Sequence, residues 1–276
     1  ASLRAAGYLP LYEGKSFYQH DPYFAGRANV ESVSKFVPVA IVRQELEGDA
    51  WTRSRLAFRD IARSTDQRTL IAAVMPPAVH GNQAPTLNDL ASPFEMAALL
   101  SSVTLDYIVR MKVSAHINWF YAETLPIPDW TATAFAQRAP DLAHRLNAVG
   151  ADFGTRAPDP LVEPGDRLAA RLVLDALVAD LFGPHPDDLA HIATRFPIYD
   201  RAVPGEHRYP TLAVQVFQAM HTDGPDAAEH RAHELAAARG AAGVGFGLDE
   251  LWQPEGGWER ANREAREILG DAKAAA

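Results

Sequence analysis

Glu13-Gly14-Lys15, near the start of the 276-residue chain, has the E-x-K form of a metal-dependent nuclease. That chemistry needs an upstream carboxylate to share the cation, and residues 1–12 contain none. Gly243–Gly247 (GVGFG) has the glycine density of a nucleotide-binding loop, but it follows an alanine-rich helical stretch rather than a strand, so it reads as a turn. In EHRAHE (Glu229–Glu234), His230 and His233 stand one helical turn apart, a metal pair with no third ligand, and they read as surface residues. No serine or threonine sits in a nucleophile elbow, and with no cysteine the chain has no disulfides or thiolate zinc sites. The sequence offers no catalytic residue and no metal ligand set.

The elements that must carry any function fall into an α+β pattern. The runs Val37–Val42 (VPVAIV) and Thr69–Pro76 (TLIAAVMP) are short, apolar and β-branched, and they predict buried strands. Leu56–Ser64 follows helical spacing. Pro93–Val113 predicts one longer helix with proline at its first turn, where a missing N–H is harmless. The closely spaced prolines of LPIP (Leu125–Pro128) end this zone. Residues 1–130 are therefore expected to form a mixed strand/helix domain, followed over 131–276 by a mainly helical region. There Gly165–Gly183 predicts a helix with Gly183 as C-cap, paired with a second helix over HPDDLAHIATRFP. Gly154–Gly165 reads as a Pro/Gly-rich connector. An alanine-rich helix is expected around Ala227–Arg239, and a final charged helix closes the chain.

Charge separates the two zones. Residues 1–130 carry 12 Lys and Arg against 13 Asp and Glu, whereas 131–276 carry 14 against 22, within a total of −9. This balance argues against binding nucleic acid over the whole surface. Arg43, Arg53, Arg55, Arg59, Arg63 and Arg68 make the front half the place where a polyanion would dock, unless they pair with Glu45, Glu47, Asp60 and Asp66. No apolar run is long enough to cross a bilayer and no leader pattern is present, so a cytoplasmic location without membrane contact is expected.

The segment Leu11–Gly26 (LYEGKSFYQHDPYFAG) sets five aromatic residues among glycines and charges. Leu11-Tyr12-Glu13-Gly14-Lys15, with Gln19, Asp21 and Tyr23-Phe24, resembles the LYEGKxxxQxDxxF region of large adenine-N6 DNA methyltransferases of restriction–modification and phage-defence systems. Three further segments agree in order. Phe58–Thr69 resembles their R-D-I-A-x-S-T-x-x-R-T stretch. Asp106–Val113, with Asn118, Phe120 and LPIP, resembles the close of their recognition region. Leu174–Gly183 and Arg195-Phe196-Pro197 resemble the helical hairpin that follows. Together these cover roughly residues 8 to 200. The chain departs from the pattern at His20-Asp21-Pro22, where relatives often have Phe-Asp-His. It departs again at Met75-Pro76-Pro77-Ala78, which lacks the side chains that hold and stack on a target adenine in their Pro-Pro-aromatic tetrapeptide.

The resemblance implies the target-recognition part of such an enzyme, without its methyl-transfer domain. S-adenosylmethionine would belong to the parent protein and this segment would hold no cofactor. Implied partners are double-stranded DNA, the missing methyltransferase domain and other defence-system proteins. Lys15, Gln19, His20 and Arg27 would supply base-edge contacts. Arg53, Arg55, Arg59, Arg68 and Lys112 would grip phosphates, and Arg110 and Asn118 complete the expected DNA-binding set. Two alternatives stay open. Tyr12, Glu13 and Lys15 could instead form an internal hydrogen-bonded junction, and the chain could be a protein-interaction module of a defence complex that reads no DNA.

Overall fold

A computed structural model describes residues 6–25, 33–113, 115–150, 153 and 156–246. Arg27 and the expected final helix lie outside the described residues. The strands are β1 (Tyr8–Tyr12), β2 (Phe36–Pro38), β3 (Arg55–Phe58), β4 (Ala72–Met75), β5 (Val79–His80) and β6 (Thr86–Leu87). Between β2 and β3 lies helix α1 (Val39–Glu45), and after β6 come α2 (Pro93–Leu100), α3 (Val103–Lys112), α4 (Trp119–Ala122) and α5 (Ala134–Asn147). The chain continues through α6 (Pro164–Phe182), α7 (Pro186–Thr194), α8 (Tyr209–Asp223) and α9 (Pro225–Ala241). The fold is α+β.

Two small sheets hold the strands. In one, β1 pairs antiparallel with β2 and parallel with β5; in the other, β3 is central and antiparallel to β4 and β6. The second sheet is covered on both faces. Leu56, Phe58, Ala72 and Val74 point into the large core, while Ala57, Ala73 and Met75 point into a small one with Tyr12 and Phe17. This alternation between two apolar environments explains why every residue of β4 is buried. It also corrects the helix expected over Leu56–Ser64: the residues of β3 alternate between cores with the period of a strand. The predicted strand Val37–Val42 is likewise corrected. Ladder pairing with β1 stops at Tyr8↔Pro38, and the chain beyond Pro38 satisfies its own backbone as α1.

The helix predicted over Pro93–Val113 is two helices, split at Ser101-Ser102. The Ser102 hydroxyl donates to the Leu99 carbonyl at 2.9 Å and accepts from the Leu105 N–H at 3.1 Å, ending one helix and capping the next. Gly183 closes α6 in the left-handed conformation (φ 64°), the region where glycine carries no side-chain penalty. Beyond residue 130 the described elements are all helices, but the packing does not divide there. The large core runs from Tyr23 and Leu56 to Leu235 and Ala236. Buried hydrogen bonds cross the expected boundary: Val74 N–H donates to Asn147 Oδ1 at 3.0 Å and Val103 N–H to Asp175 Oδ1 at 2.7 Å. The expected connector is tied down as well, with Ala157 N–H donating to Ala148 at 2.9 Å and Leu161 N–H to Arg145 at 3.0 Å.

Candidate functional site

The segment Leu11–Ala25 forms a loop whose tip is inserted into the protein. Tyr18 and Asp21 exchange backbone hydrogen bonds at 2.9 and 3.0 Å, which closes a tight turn with Gln19 and His20 at its apex. His20 takes the left-handed backbone conformation (φ 54°) that this turn requires. Gln19, 3 % exposed, donates from Nε2 to the carbonyls of Leu70 (3.3 Å) and Ser101 (3.0 Å). His20 is buried too: its N–H meets Ala72 O at 3.2 Å, its Nδ1 lies 3.0 Å from Asn147 Nδ2, and its carbonyl accepts from Arg167 at 3.3 Å. Neither side chain can reach a base edge in this fold.

At the base of the loop, Ser16 N–H bonds the Glu13 carbonyl at 2.8 Å while the Ser16 hydroxyl accepts from Glu13 N–H at 3.1 Å. Glu13 also pairs with Lys35 at 2.7 Å, and this hydrogen bond holds its carboxyl below the ordinary range. Gly14 is required by a close approach: a Cβ there would stand 2.7 Å from the Gln83 carbonyl oxygen. Tyr12 is 1 % exposed, with its ring stacked on His80. Of the loop's expected base contacts among the described residues, Lys15 is exposed and Gln19 and His20 are buried.

The arginines divide in the same way. Arg68 and Asp106 are both fully buried and paired at 2.6 Å. Asp106 also accepts from the backbone N–H of Thr69 and Leu70 at 3.1 Å, and Arg68 donates to the Ser101 carbonyl at 2.6 Å. Burial pushes the Arg68 pKa down, but Asp106 overrides it and the guanidinium stays charged. Arg110 donates to the carbonyls of Ser64, Asp66 and Gln67 at 2.6–2.7 Å and lies over the Phe196 ring at 4.2 Å. Arg59 holds the Phe17 carbonyl and sits among the rings of Phe17, Tyr18 and Phe24. Arg55 donates to Ala78 O at 2.6 Å and to His80 Nδ1 at 2.9 Å. These four arginines serve the fold. Arg53 is exposed, paired with Asp49 (2.9 Å) and Asp89 (2.8 Å).

Asp175 extends the network into the helical half. It accepts from Val103 N–H at 2.7 Å and from the Tyr209 hydroxyl at 2.6 Å. Arg68 faces the rings of Phe196 and Tyr199, and Arg171 donates to the Tyr199 hydroxyl at 2.7 Å. The four segments singled out in the sequence are therefore knit into one buried junction. Arg167, Arg171 and Asp175 belong to it although motif reading passed over them. Their sequence signal is the spacing by four of Arg167, Arg171 and Asp175 among the leucines, valines and alanines of α6, which marks a buried polar stripe.

A second group of residues faces outward. The loop 59–67 lies along the stretch after α3: Ala62 N–H bonds Ala115 O (2.9 Å), Ile117 N–H bonds Asp60 O (2.7 Å), and Ile61 bridges to His116. This brings together exposed Ile61, Arg63, His116, Asn118, Trp119 and Phe120. Lys112, also exposed, donates to the Thr124 carbonyl at 2.9 Å. Asn118 caps α4 by accepting from Tyr121 N–H at 3.3 Å, Trp119 packs edge-on against Phe58, and Phe120 is 71 % exposed. Ile61, Trp119 and Phe120 thus expose large apolar side chains on this face.

Among the described residues no group of three or more His, Asp or Glu is placed to hold a metal ion, and no helix is long and apolar enough to cross a membrane. Compared with family models, curated proteins and solved structures, the chain matches none.

Proposed function

We propose that this chain is the DNA target-recognition part of an adenine-N6 DNA methyltransferase of the restriction–modification or phage-defence type, with methyl transfer and S-adenosylmethionine belonging to a separate domain. One observation carries the reading. The four resembling segments, spread from Leu11 to Pro197, meet in a single buried junction of Gln19, Arg68, Asp106 and Asp175. A shared scaffold that holds variable exposed loops is what a family with differing DNA targets needs, since framework and reading surface then carry separate constraints. In this reading the contacts to DNA come from the outward face: Arg63 and Lys112 for phosphates, Asn118 and His116 for groove edges, and Trp119 and Phe120 as apolar wedges or stacking surfaces.

The test is binding of the chain to duplex DNA by fluorescence anisotropy across a salt series. Binding should weaken steeply as salt rises, and alanine at Arg63 and Lys112 should reduce the slope by about one for each phosphate that is no longer neutralised. Binding that ignores salt, or no binding even at low salt, counts against the proposal. The exposed apolar group Ile61, Met111, Trp119 and Phe120 favours a second reading, a protein-docking face for a defence-system partner. It would be supported if partner capture, and not DNA binding, fell on replacing Phe120.

A further inference from the structure

Residues 63–67, between β3 and β4, are exposed one after another and include no apolar side chain, so packing contributes little to their placement. Their two flanks are fastened by other groups. On one side Ala62 N–H bonds the Ala115 carbonyl at 2.9 Å, and Ile117 N–H bonds that of Asp60 at 2.7 Å. On the other, the Asp106 carboxylate accepts from the N–H groups of Thr69 and Leu70 at 3.1 Å, and the Thr69 hydroxyl donates to the Arg63 carbonyl at 3.0 Å. The middle is held by a side chain of α3. Arg110 donates from Nη1 to the Ser64 carbonyl at 2.7 Å, and from Nη2 to the carbonyls of Asp66 and Gln67 at 2.6 and 2.7 Å. Its side chain is 6 % exposed, and its guanidinium lies over the buried Phe196 ring at 4.2 Å. A planar guanidinium can hold several carbonyls at once in a fixed fork, which suits a loop with nothing apolar to bury.

We propose that Arg110 is a positioning residue for the outward face: it fixes residues 63–67 from behind, and with them the Arg63 guanidinium that meets a DNA phosphate, while itself touching no DNA. The inference rests on the DNA-reading function proposed above, and it gives Arg110 a role different from the direct contact that the sequence resemblance implies. Two features support it. The guanidinium is turned inward, with both terminal nitrogens on the loop's own carbonyls and its face on Phe196. The cation that the loop does present, Arg63, is exposed at the start of the stretch that Arg110 holds. A loop ordered in advance spares the complex the entropy of ordering it. Fixing one backbone residue only on binding would weaken affinity by about 5–30-fold.

The chain has no cysteine, so Thr65→Cys gives a single attachment site for a spin label on the exposed part of the loop. With no DNA present, electron paramagnetic resonance should show a restrained label in the chain that keeps Arg110, and a markedly more mobile one when Arg110→Ala is added. In the unlabelled protein Arg110→Ala should weaken binding to duplex DNA by about tenfold or more. Adding Arg63→Ala to it should weaken binding little further, because the phosphate contact is already lost. Arg110→Lys keeps the charge but not the planar fork, so it should mobilise the label and weaken binding as well, and it carries the same readings where Arg110→Ala does not retain the wild-type circular dichroism spectrum. The proposal is overturned if the label is equally restrained in the folded variant. It is also overturned if the effects of Arg63 and Arg110 on binding add in full, which makes Arg110 a separate phosphate contact. A wild-type chain that binds no DNA at any salt concentration overturns the proposed function instead, and label mobility then decides the positioning of the loop by itself.

Discussion

Replacing Asp106 with asparagine should remove a fifth or more of the protein's stability while leaving its outward face intact. Asp106 is fully buried and offers its carboxylate to Arg68 at 2.6 Å and to the N–H groups of Thr69 and Leu70 at 3.1 Å. Asparagine keeps the shape and one acceptor, so the backbone hydrogen bonds survive in part, but the Arg68 guanidinium is left buried and uncompensated. Removing one partner of a buried pair costs about 3–5 kcal/mol, against a total of about 5–15 kcal/mol for a typical domain. With a urea slope near the upper end for its size, about 3 kcal/mol per molar, the unfolding midpoint should fall by about 1–1.7 M. Urea titration followed by far-ultraviolet circular dichroism reads this directly. Adding Arg68→Met to the same variant discharges the stranded cation and should restore part of the loss. A midpoint shift below about 0.3 M for Asp106→Asn, or a double variant weaker than the single one by the full cost again, would refute the buried-pair reasoning.

Gly14→Ala forces a Cβ to 2.7 Å from the Gln83 carbonyl oxygen, and the overpacking should cost about 1–3 kcal/mol in thermal or urea unfolding; an unchanged midpoint would remove the close-approach explanation. His80 accepts a hydrogen bond from Arg55 on Nδ1, and burial, reinforced by the Arg55 charge, pushes its pKa down to about 3. The unfolded chain takes up that proton below about pH 6.5, so the contribution is present above this pH and is lost as pH falls towards 3, at up to about 1.4 kcal/mol per pH unit. His80→Gln should flatten that part of the stability–pH curve, and an unaltered slope would contradict the assignment. Phe120→Ser should change stability by less than about 0.5 kcal/mol, because the ring is 71 % exposed, yet weaken binding of DNA or of a protein partner.

Local signals carried much of the fold. Gly183 marked the end of α6, and Pro93 marked the start of α2. What the sequence concealed was non-local. The arginines from 53 to 68 read as a cationic surface because their partners lie far along the chain: Asp106 for Arg68, the carbonyls of Phe17 for Arg59 and Ala78 for Arg55. The β3 segment read as a helix because its two faces pack into different cores, which hides the alternation of polarity that reveals a half-buried strand. The aromatic loop at Leu11–Gly26 was legible as something other than a linker. Its insertion into the core depends on hydrogen bonds of Gln19 with Ser101 and of His20 with Asn147, which no local pattern encodes. The outward face depends on loop 59–67 meeting the stretch after α3, again a tertiary event.

Hydrogen–deuterium exchange of the chain with and without duplex DNA tests the central claim most directly, because it reports on framework and contact surface in one experiment. The account predicts slowed exchange on DNA binding at the loop 59–67 and across residues 111–122. It predicts no change at the amides of Gln19, Leu70 and Val103, which lie in the buried junction. Protection confined to α8 and α9, or none at any salt concentration, would contradict it.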